Sequence, residues 1–403
     1  MCKFNKSRLI ISFVFIFLLT SISAQQKFQS AAVAFYNVEN LFDTIVSVDY
    51  VDGTRKPDDQ FYHISIPKSD ISKYDTVYFK GRFTYDLIDG KKIIRPLILQ
   101  EDEFSPKGKK EWNSEKYYRK LHQLAKVIAQ LGKEESGAAP VIVGLSEVET
   151  REVVEDLVAQ AALKPYNYGV IHFNSFDARG IDLALIYQKS RFTVTKAKPY
   201  PIDIIGPDGK KVYTRDVLRV TGLLDGEEIT FLVNHWPSRS GGEKRSQPNR
   251  LKAAETLKSI FDEIRSENPN AKIIAMGDFN DDPVNVSIRE VVGTVAKKEN
   301  VKKEDIYNPM ESMYKKGLGT LAYRDSWNLF DQFLISGTLV DNNKKFDSYK
   351  IYKVKIFSPP YLYSPDGPYK GYPYRMFGGD TYYPDGYSDH FPIYTILLRS
   401  ANQ

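Results

Sequence analysis

The stretch from Ala271 to Asp282, AKIIAMGDFNDD, most constrains what this chain can fold into. An apolar run, Ile273 to Met276, is cut by Gly277 and then presents Asp278 and Asn280 on alternate positions. A buried strand that ends at a solvent-facing loop has this form, because side chains alternate faces along an extended backbone. A carboxylate and a carboxamide two residues apart then point the same way. One polarises a water while the other donates a hydrogen bond to an oxyanion. Asp and Asn are also common turn residues, so this stretch alone leaves a plain turn and a site equally open.

The rest of the chain repeats the pattern. Ala31 to Tyr36 ends at Asn37-Val38-Glu39-Asn40, and Pro140 to Leu145 is a near-continuous apolar run, suited to a sheet covered on both faces, that delivers Ser146-Glu147. Glu228 to Val233 leads to Asn234-His235-Trp236. Trp327 to Ser336 reads as one strand carrying Asp331, and Ser388-Asp389-His390 precedes a final strand, Pro392 to Leu398. Tyr168 to Phe173 with Ile181 to Tyr187, and Leu218 to Leu223 with Glu228 to Val233, read as strand pairs. Between these lie helical patterns. Leu121, Leu124, Ile128 and Leu131 recur at helical spacing ahead of a stop at Gly132, with His122 on the surface side. Val153, Val154, Leu157, Val158 and Ala161 mark a second helix. Leu251, Ala254, Leu257, Phe261 and Ile264 mark a third, after a loop from Pro237 to Asn249.

At 403 residues with 42% apolar content the chain supports one large α/β catalytic domain with insertions. The formal charge of +5 includes Lys3, Lys6 and Arg8, which precede an uncharged apolar run from Leu9 to Leu19 and then Ser21, Ser23 and Ala24. Residues 1–24 thus have the layout of a secretory signal peptide. The run is short for a bilayer crossing, which makes an uncleaved anchor the lesser reading. Cleavage leaves a domain of residues 25–403 with a net charge of +2, no transmembrane span and an exported location, periplasmic or extracellular. The single cysteine, Cys2, lies before the apolar run, so neither a lipid anchor nor a disulfide is expected. Residues 46–101 read as an insertion or small β subdomain with β-like runs at Thr76 to Phe79 and Lys92 to Leu99 and a turn at Asp89-Gly90. Residues 357–387, dense in Tyr, Pro and Gly, read as a long structured loop.

Acids and amides thus reach strand ends from at least four separate places: Asn37 with Glu39, Glu147, Asp278 with Asn280, and Asp389. Hard oxygen donors converging on one sheet edge suit Mg²⁺, with Mn²⁺ as a possible substitute. Zinc fits poorly, since no cysteine serves it and the five histidines lack HxxxH or HxH spacing. His235 and His390 stand at strand boundaries beside acids, where an imidazole moves a proton or donates to a phosphate oxygen.

Taken in order, Asn37-Val38-Glu39, Leu145-Ser146-Glu147, Asn234-His235, Gly277-Asp278-Phe279-Asn280, Trp327 with Asp331-Gln332-Phe333-Leu334, and Ser388-Asp389-His390 resemble the motif set of the endonuclease/exonuclease/phosphatase superfamily. The resemblance runs from about Val33 to Leu398. It implies a four-layer α/β sandwich, two packed mixed β-sheets flanked by helices, with the site at one edge. It also implies metal-dependent hydrolysis of phosphoester bonds by in-line attack of water. Carried over by position, Glu147 resembles the principal Mg²⁺ ligand, with Asn37 and Glu39 nearby and Asp389 at or near the metal. Asp278 resembles the group that orients or deprotonates water, and Asn280 a donor to the phosphorane oxygens. His390 would pair with Asp331, and His235 would contact phosphate or protonate the leaving oxygen.

Gln332 stands where inositol polyphosphate phosphatases carry arginine, which argues against that substrate class. Arg179, Arg239, Arg250, Arg324 and Arg375 are candidates for a phosphate clamp, because guanidinium meets phosphate oxygens bidentately. The expected activity is that of a phosphodiesterase or nuclease, with a lipid or sugar phosphate hydrolase as the alternative, and the expected partner is a phosphoester substrate: nucleic acid, phospholipid or small phosphate ester. No obligate protein partner is evident. A catalytically inactive binding protein on the same fold is the rival of another class, disfavoured because burying so many like charges without a cation is costly.

Overall fold

The structure is a computed structural model that describes residues 27–44, 83–88, 91–96, 102–104, 106, 108–340 apart from 176, 178, 208 and 210, and 345–401. The signal-like segment 1–24, Cys2 and most of the 46–101 insertion, including the run at Thr76 to Phe79 and the turn at Asp89-Gly90, lie outside the described residues. From that insertion, Phe83–Ile88 and Lys91–Pro96 pair as an antiparallel hairpin. Among the described residues no helix is long and apolar enough to cross a membrane.

In chain order the principal elements are β1 (Phe28–Leu41), α1 (Ser114–Ile128), β2 (Ile142–Val148), α2 (Arg151–Val158), β3 (Tyr168–Phe173), β4 (Asp182–Gln188), β5 (Phe192–Tyr200), β6 (Val217–Leu224), β7 (Glu227–His235), α3 (Glu243–Glu267), β8 (Ile273–Asp278), β9 (Asp331–Ser336), β10 (Lys350–Ile356) and β11 (Ile393–Ser400). One sheet of six strands runs β10-β11-β1-β2-β4-β3. A second sheet of seven runs Thr294–Val295, Ile306–Tyr307, β9-β8-β7-β6-β5. Each is mixed: β1 pairs parallel with β2 but antiparallel with β11, and β7 pairs parallel with β8 but antiparallel with β6.

The period of two along each central strand builds the layers. In β1, Ala31, Val33 and Phe35 face the second sheet and pack with Ile274, Met276 and Phe333, while Ala32, Ala34 and Tyr36 face outward against Leu121, Leu124 and Ile128 of α1 and Val154 of α2. In β8, Ile274 and Met276 point inward, and Ile273 and Ala275 point outward onto Ala254, Leu257 and Phe261 of α3. Helix, sheet, sheet and helix thus stack as four layers, and strands covered on both faces are apolar throughout, as expected of PVIVGL and IIAM.

Local chemistry sets most boundaries. Asn113 caps α1 by accepting from the Lys116 amide, and Gly132 (φ 69°) provides the left-handed residue beyond its end. Thr150 caps α2 in the same way at Val153. Three expectations need correction. Helix α2 stops at Val158 and leaves Ala161 exposed. The 327–336 strand is split into Ser326–Asn328, in a small hairpin with Leu321–Tyr323, and β9. The 237–249 loop is shorter than expected because α3 already begins at Glu243, with Pro248 inside it. Buried Arg250 stabilises this polar first turn, donating to the Glu243 carbonyl and Ser246 Oγ.

Candidate active site

Strand register gathers the chemistry. His235 on β7 pairs with Asp278 on β8, and Asp278 pairs with Asp331 on β9, so three adjacent strands present polar side chains at one level. Asn37 reaches across from the other sheet and donates through Nδ2 to Asp278 Oδ2 at 3.1 Å. Gly277 lets β7 lie close against β8 at this level: a Cβ there would lie 2.3 Å from the Asn234 carbonyl oxygen.

The backbone turns sharply where each strand delivers its group. Glu39 (φ 51°), Asn40 (φ 54°), Glu147 (φ 63°) and Asn280 (φ 50°) are non-glycine residues in the left-handed region, and the β1–β2 register shifts between Asn37 and Leu41. Such conformations cost about 1 kcal/mol or more each and persist where surrounding contacts enforce them. Those contacts are visible. The Glu39 amide donates to Asn37 Oδ1, the Asn40 amide to Glu147 Oε2, and the Asn280 amide to Asp278 Oδ1.

Around Asp278 the distances are short. His235 Nε2 lies 3.5 Å and His390 Nε2 3.8 Å from its Oδ2. His390 Nδ1 is 2.7 Å from Asp331 Oδ2, and the His390 amide is held by Ser388 Oγ, which itself donates to the Asn37 carbonyl. Asn280 Nδ2 donates to the Trp236 carbonyl. Glu147 Oε1 accepts from Arg179 Nη2 at 3.1 Å and lies 3.9 Å from His235 Nε2. Arg375 Nη2 donates to Asp389 Oδ2, and its Nε is 3.6 Å from Glu39 Oε1.

Burial makes these charges matter. It pushes the Asp278 carboxyl up to about 6, a rise that the His390 charge opposes and Asp331 reinforces. Burial, then Arg215 and Arg179, hold the His235 imidazole well below its usual range, so it is neutral. His390 is the reverse: burial pulls it down, but Asp331 and Asp278 outweigh burial and hold it well above that range, as imidazolium. Burial and the neighbouring Asp389 charge push Glu39 up to about 8.

The structure therefore brings Asn37, Glu39, Glu147, His235, Asp278, Asn280, Asp331, Asp389 and His390 to one edge of the sandwich, with Arg179 and Arg375 against its acids. Two arginines depart from expectation. Arg250 is 0% exposed with Nε 2.7 Å from Asp281 Oδ1, a buried counterion that no substrate reaches. Arg239 is nearer the site, but it donates to the Asn280 carbonyl and pairs with Asp281, Asp282 and Glu243.

Sequence reasoning missed Arg215 and Lys120. Arg215 donates to the carbonyls of His235 and Trp236 and, through Nη1 at 2.7 Å, to Asp177, whose other oxygen accepts the Arg179 amide. Lys120, buried on α1, donates to the Glu39 carbonyl. Neither lies in a recognisable motif. The one hint for Lys120 was its place beside Leu121 and Leu124 on the apolar stripe of α1.

A hard divalent cation is matched by the donor chemistry here, because Glu39, Asp389 and Glu147 are oxygen donors that repel one another in a buried setting. Among the described residues no three His, Cys, Asp or Glu groups stand close enough to hold a metal ion as placed. Guanidinium groups sit on the acids instead: Arg179 on Glu147, and Arg375 on Asp389 and near Glu39.

The sequence pattern of the Endonuclease/Exonuclease/phosphatase family matches residues 87–399. No curated protein matches the sequence. Among solved structures, an endonuclease/exonuclease/phosphatase family protein from Bacteroides thetaiotaomicron is 16% identical with a TM-score of 0.46, covering 94% of this chain and 98% of its own. The mannosyl-6-phosphatase of the same organism is 15% identical with a TM-score of 0.44, covering 91% and 99%. TDP2 of D. rerio, complexed with single strand DNA product, is 16% identical with a TM-score of 0.43, covering 69% and 92%. The family pattern spans most of the chain and all but one of the strand-end motifs, and the fold is the two-sheet sandwich expected of it: the protein belongs to the endonuclease/exonuclease/phosphatase family.

Proposed function

We propose that the protein hydrolyses a phosphoester by in-line attack of water, in a reaction assisted by Mg²⁺ or Mn²⁺. The observation that carries this reading is the triple approach of Asn37, His235 and His390 to one oxygen of Asp278. Asp278 holds the water and takes its proton as the water oxygen bonds to phosphorus and the ester P–O bond breaks. His390, kept as imidazolium and aimed by Asp331, donates to a non-bridging oxygen as charge develops there. Neutral His235 and the Asn280 carboxamide are the further donors within reach, and the leaving oxygen is protonated from solvent. Glu147, Glu39, Asp389 and Asn37 would hold the cation, which supplies charge neutralisation at the phosphate when bound. Export, which rests on the charged and apolar N-terminal residues, belongs to the same reading.

The substrate is read as a single phosphoester rather than a long polyanion. The 239–250 segment, the main cationic cluster in the sequence, has Arg239 and Arg250 already committed to Asp281 and Asp282. Lys244 and Arg245 remain of that segment, too few by themselves to make a phosphate track. An assay panel of duplex and single-stranded DNA, sphingomyelin, sugar phosphates and bis(p-nitrophenyl) phosphate with Mg²⁺ or EDTA tests both points. Mg²⁺-dependent release of product from at least one ester is expected, and none from any ester would refute the reading. Duplex binding with a log–log salt slope above about six in magnitude would restore the nuclease, since each phosphate contact adds close to one unit.

A further inference from the structure

Beside the catalytic groups opens a cleft of about 1160 Å³ whose inner end is Arg375 and Asp389. Three segments wall it: Ser238–Glu243 ahead of and at the start of α3, the hairpin around Arg324 and Asp325, and the 368–375 part of the Tyr-rich loop. The walls are tied together. Tyr372 Oη donates to Asp325 Oδ1 at 2.6 Å and accepts from the Asp325 amide at 2.7 Å. Left-handed backbone at Arg324 and Asp325 shapes the hairpin tip that makes this contact. The cleft exceeds the usual size of a small-molecule pocket, so it has room for a body of more than one ring beyond the phosphate.

Its lining narrows the chemistry of that body. The charged side chains are three cations, Arg239, Arg324 and Arg375, and three anions, Glu243, Asp325 and Asp389. They balance, so the cleft offers no net attraction to a chain of phosphates. A guanidinium takes one face of three of the lining rings, and Tyr323, 62% exposed, is the most open of them. The guanidinium of Arg239 lies 4.6 Å from the Phe330 ring centre, Arg324 lies 5.2 Å from Tyr323 and Arg375 lies 5.3 Å from Tyr369. Tyr372 packs on Trp327 and Tyr369. The cleft is lined by planar donors (Arg324, Asn328), carboxylate acceptors (Glu243, Asp325) and the hydroxyls of Ser238 and Ser240, with Asn328, Glu243 and Asp325 each using part of their capacity within the protein. Adjacent hydroxyl groups, each donor and acceptor at once, match such a surface.

Building on the phosphoesterase reading of the neighbouring site, we propose that this cleft is a leaving-group subsite for an uncharged, polyhydroxylated body, so that the substrate is a carbohydrate phosphate of one to a few rings. The phosphate lies at the Asp278 end and the hydroxylated rings extend along the hairpin and the Tyr-rich loop.

The test compares kcat/KM for hexose phosphates and disaccharide phosphates with that for p-nitrophenyl phosphate and for thymidine dinucleotide, in the wild type and in Asp325→Asn, Arg324→Ala and Tyr372→Phe. Carbohydrate phosphates should be preferred by at least tenfold, with the disaccharide at least equal to the hexose. Each variant should lower the ratio of carbohydrate phosphate to p-nitrophenyl phosphate turnover several-fold through KM. Calorimetric titration of wild type with a neutral disaccharide should show saturable binding that Asp325→Asn weakens. Turnover of p-nitrophenyl phosphate without any carbohydrate preference, or preference for the dinucleotide, would overturn the subsite while leaving the phosphoesterase intact. Disaccharide binding in a protein that hydrolyses no phosphoester would instead refute the catalytic reading and keep the subsite.

Discussion

Asp331 Oδ2 and His390 Nδ1 stand 2.7 Å apart, although 59 positions separate them in sequence and they sit on different sheets' edges. The ion pair holds the imidazole with Nε2 directed towards Asp278. Asp331→Asn should keep the packing and lose the charge that maintains the imidazolium. A kcat loss on the order of 10², the scale of one electrostatic or acid/base group, is expected with KM nearly unchanged. Asp278→Asn and His390→Ala should lose at least as much. Steady-state kinetics with wild-type turnover in Asp278→Asn would sink the mechanism.

Metal dependence is tested at Glu147, whose oxygens are shared by the Asn40 amide and Arg179. Mg²⁺ should raise the wild-type melting temperature, because a ligand that binds only the folded state stabilises it. Glu147→Gln should reduce both that shift and the Mg²⁺-dependent turnover. Full Mg²⁺-dependent turnover in the variant would remove Glu147 from the ligand set.

Arg215 ties the end of β7 to the loop that carries Arg179, so its removal should disturb two site groups at once. Arg215→Met leaves Asp177 buried and unpaired and should destabilise by about 3–5 kcal/mol. Pairing it with Asp177→Asn should recover most of that stability by chemical denaturation, yet leave kcat depressed. Recovery of both would reduce Arg215 to a purely structural role.

Glu135 sets a pH dependence remote from the site. Burial raises its carboxyl, but Lys355 and Lys353 outweigh burial and hold it down to about 2, against an ordinary value of 4.5. A depressed acid contributes stability that is complete above 4.5 and is lost as pH falls towards 2. Glu135→Gln should therefore melt below wild type at pH 7, with the gap closing between pH 4.5 and 2. A gap independent of pH would show that the pairing contributes nothing.

Gly277 has no room for a side chain against the Asn234 carbonyl. Gly277→Ala should push β7 and β8 apart, costing about 1–3 kcal/mol and displacing Asp278. Thermal melting and kinetics should fall together, and an unperturbed variant would mean that the strands separate freely there.

The amino-acid order alone determined the central strands and what stands at their ends. PVIVGL and IIAM are apolar on both alternating faces, as a doubly covered strand requires, and Asn37, Glu147 and Asp278 follow such runs while His390 precedes one. The edge strands β5 and β10 escaped notice because a half-exposed edge carries lysine and threonine where a central strand carries valine. Tertiary structure alone decided which charges are free. Arg250 and Arg239 look identical to Arg375 in sequence, yet the first two pair with Asp281 and Asp282 behind the site while Arg375 pairs with Asp389 within it. It also decided that Arg215, from a stretch without a motif, closes the site, and that the Tyr-rich loop forms a cleft wall in which Arg375 lies over Tyr369. Local sequence reports what a residue offers. Which partner it meets depends on a fold that brings together side chains from strands up to hundreds of positions apart, and that is where pairing, burial and pKa are set.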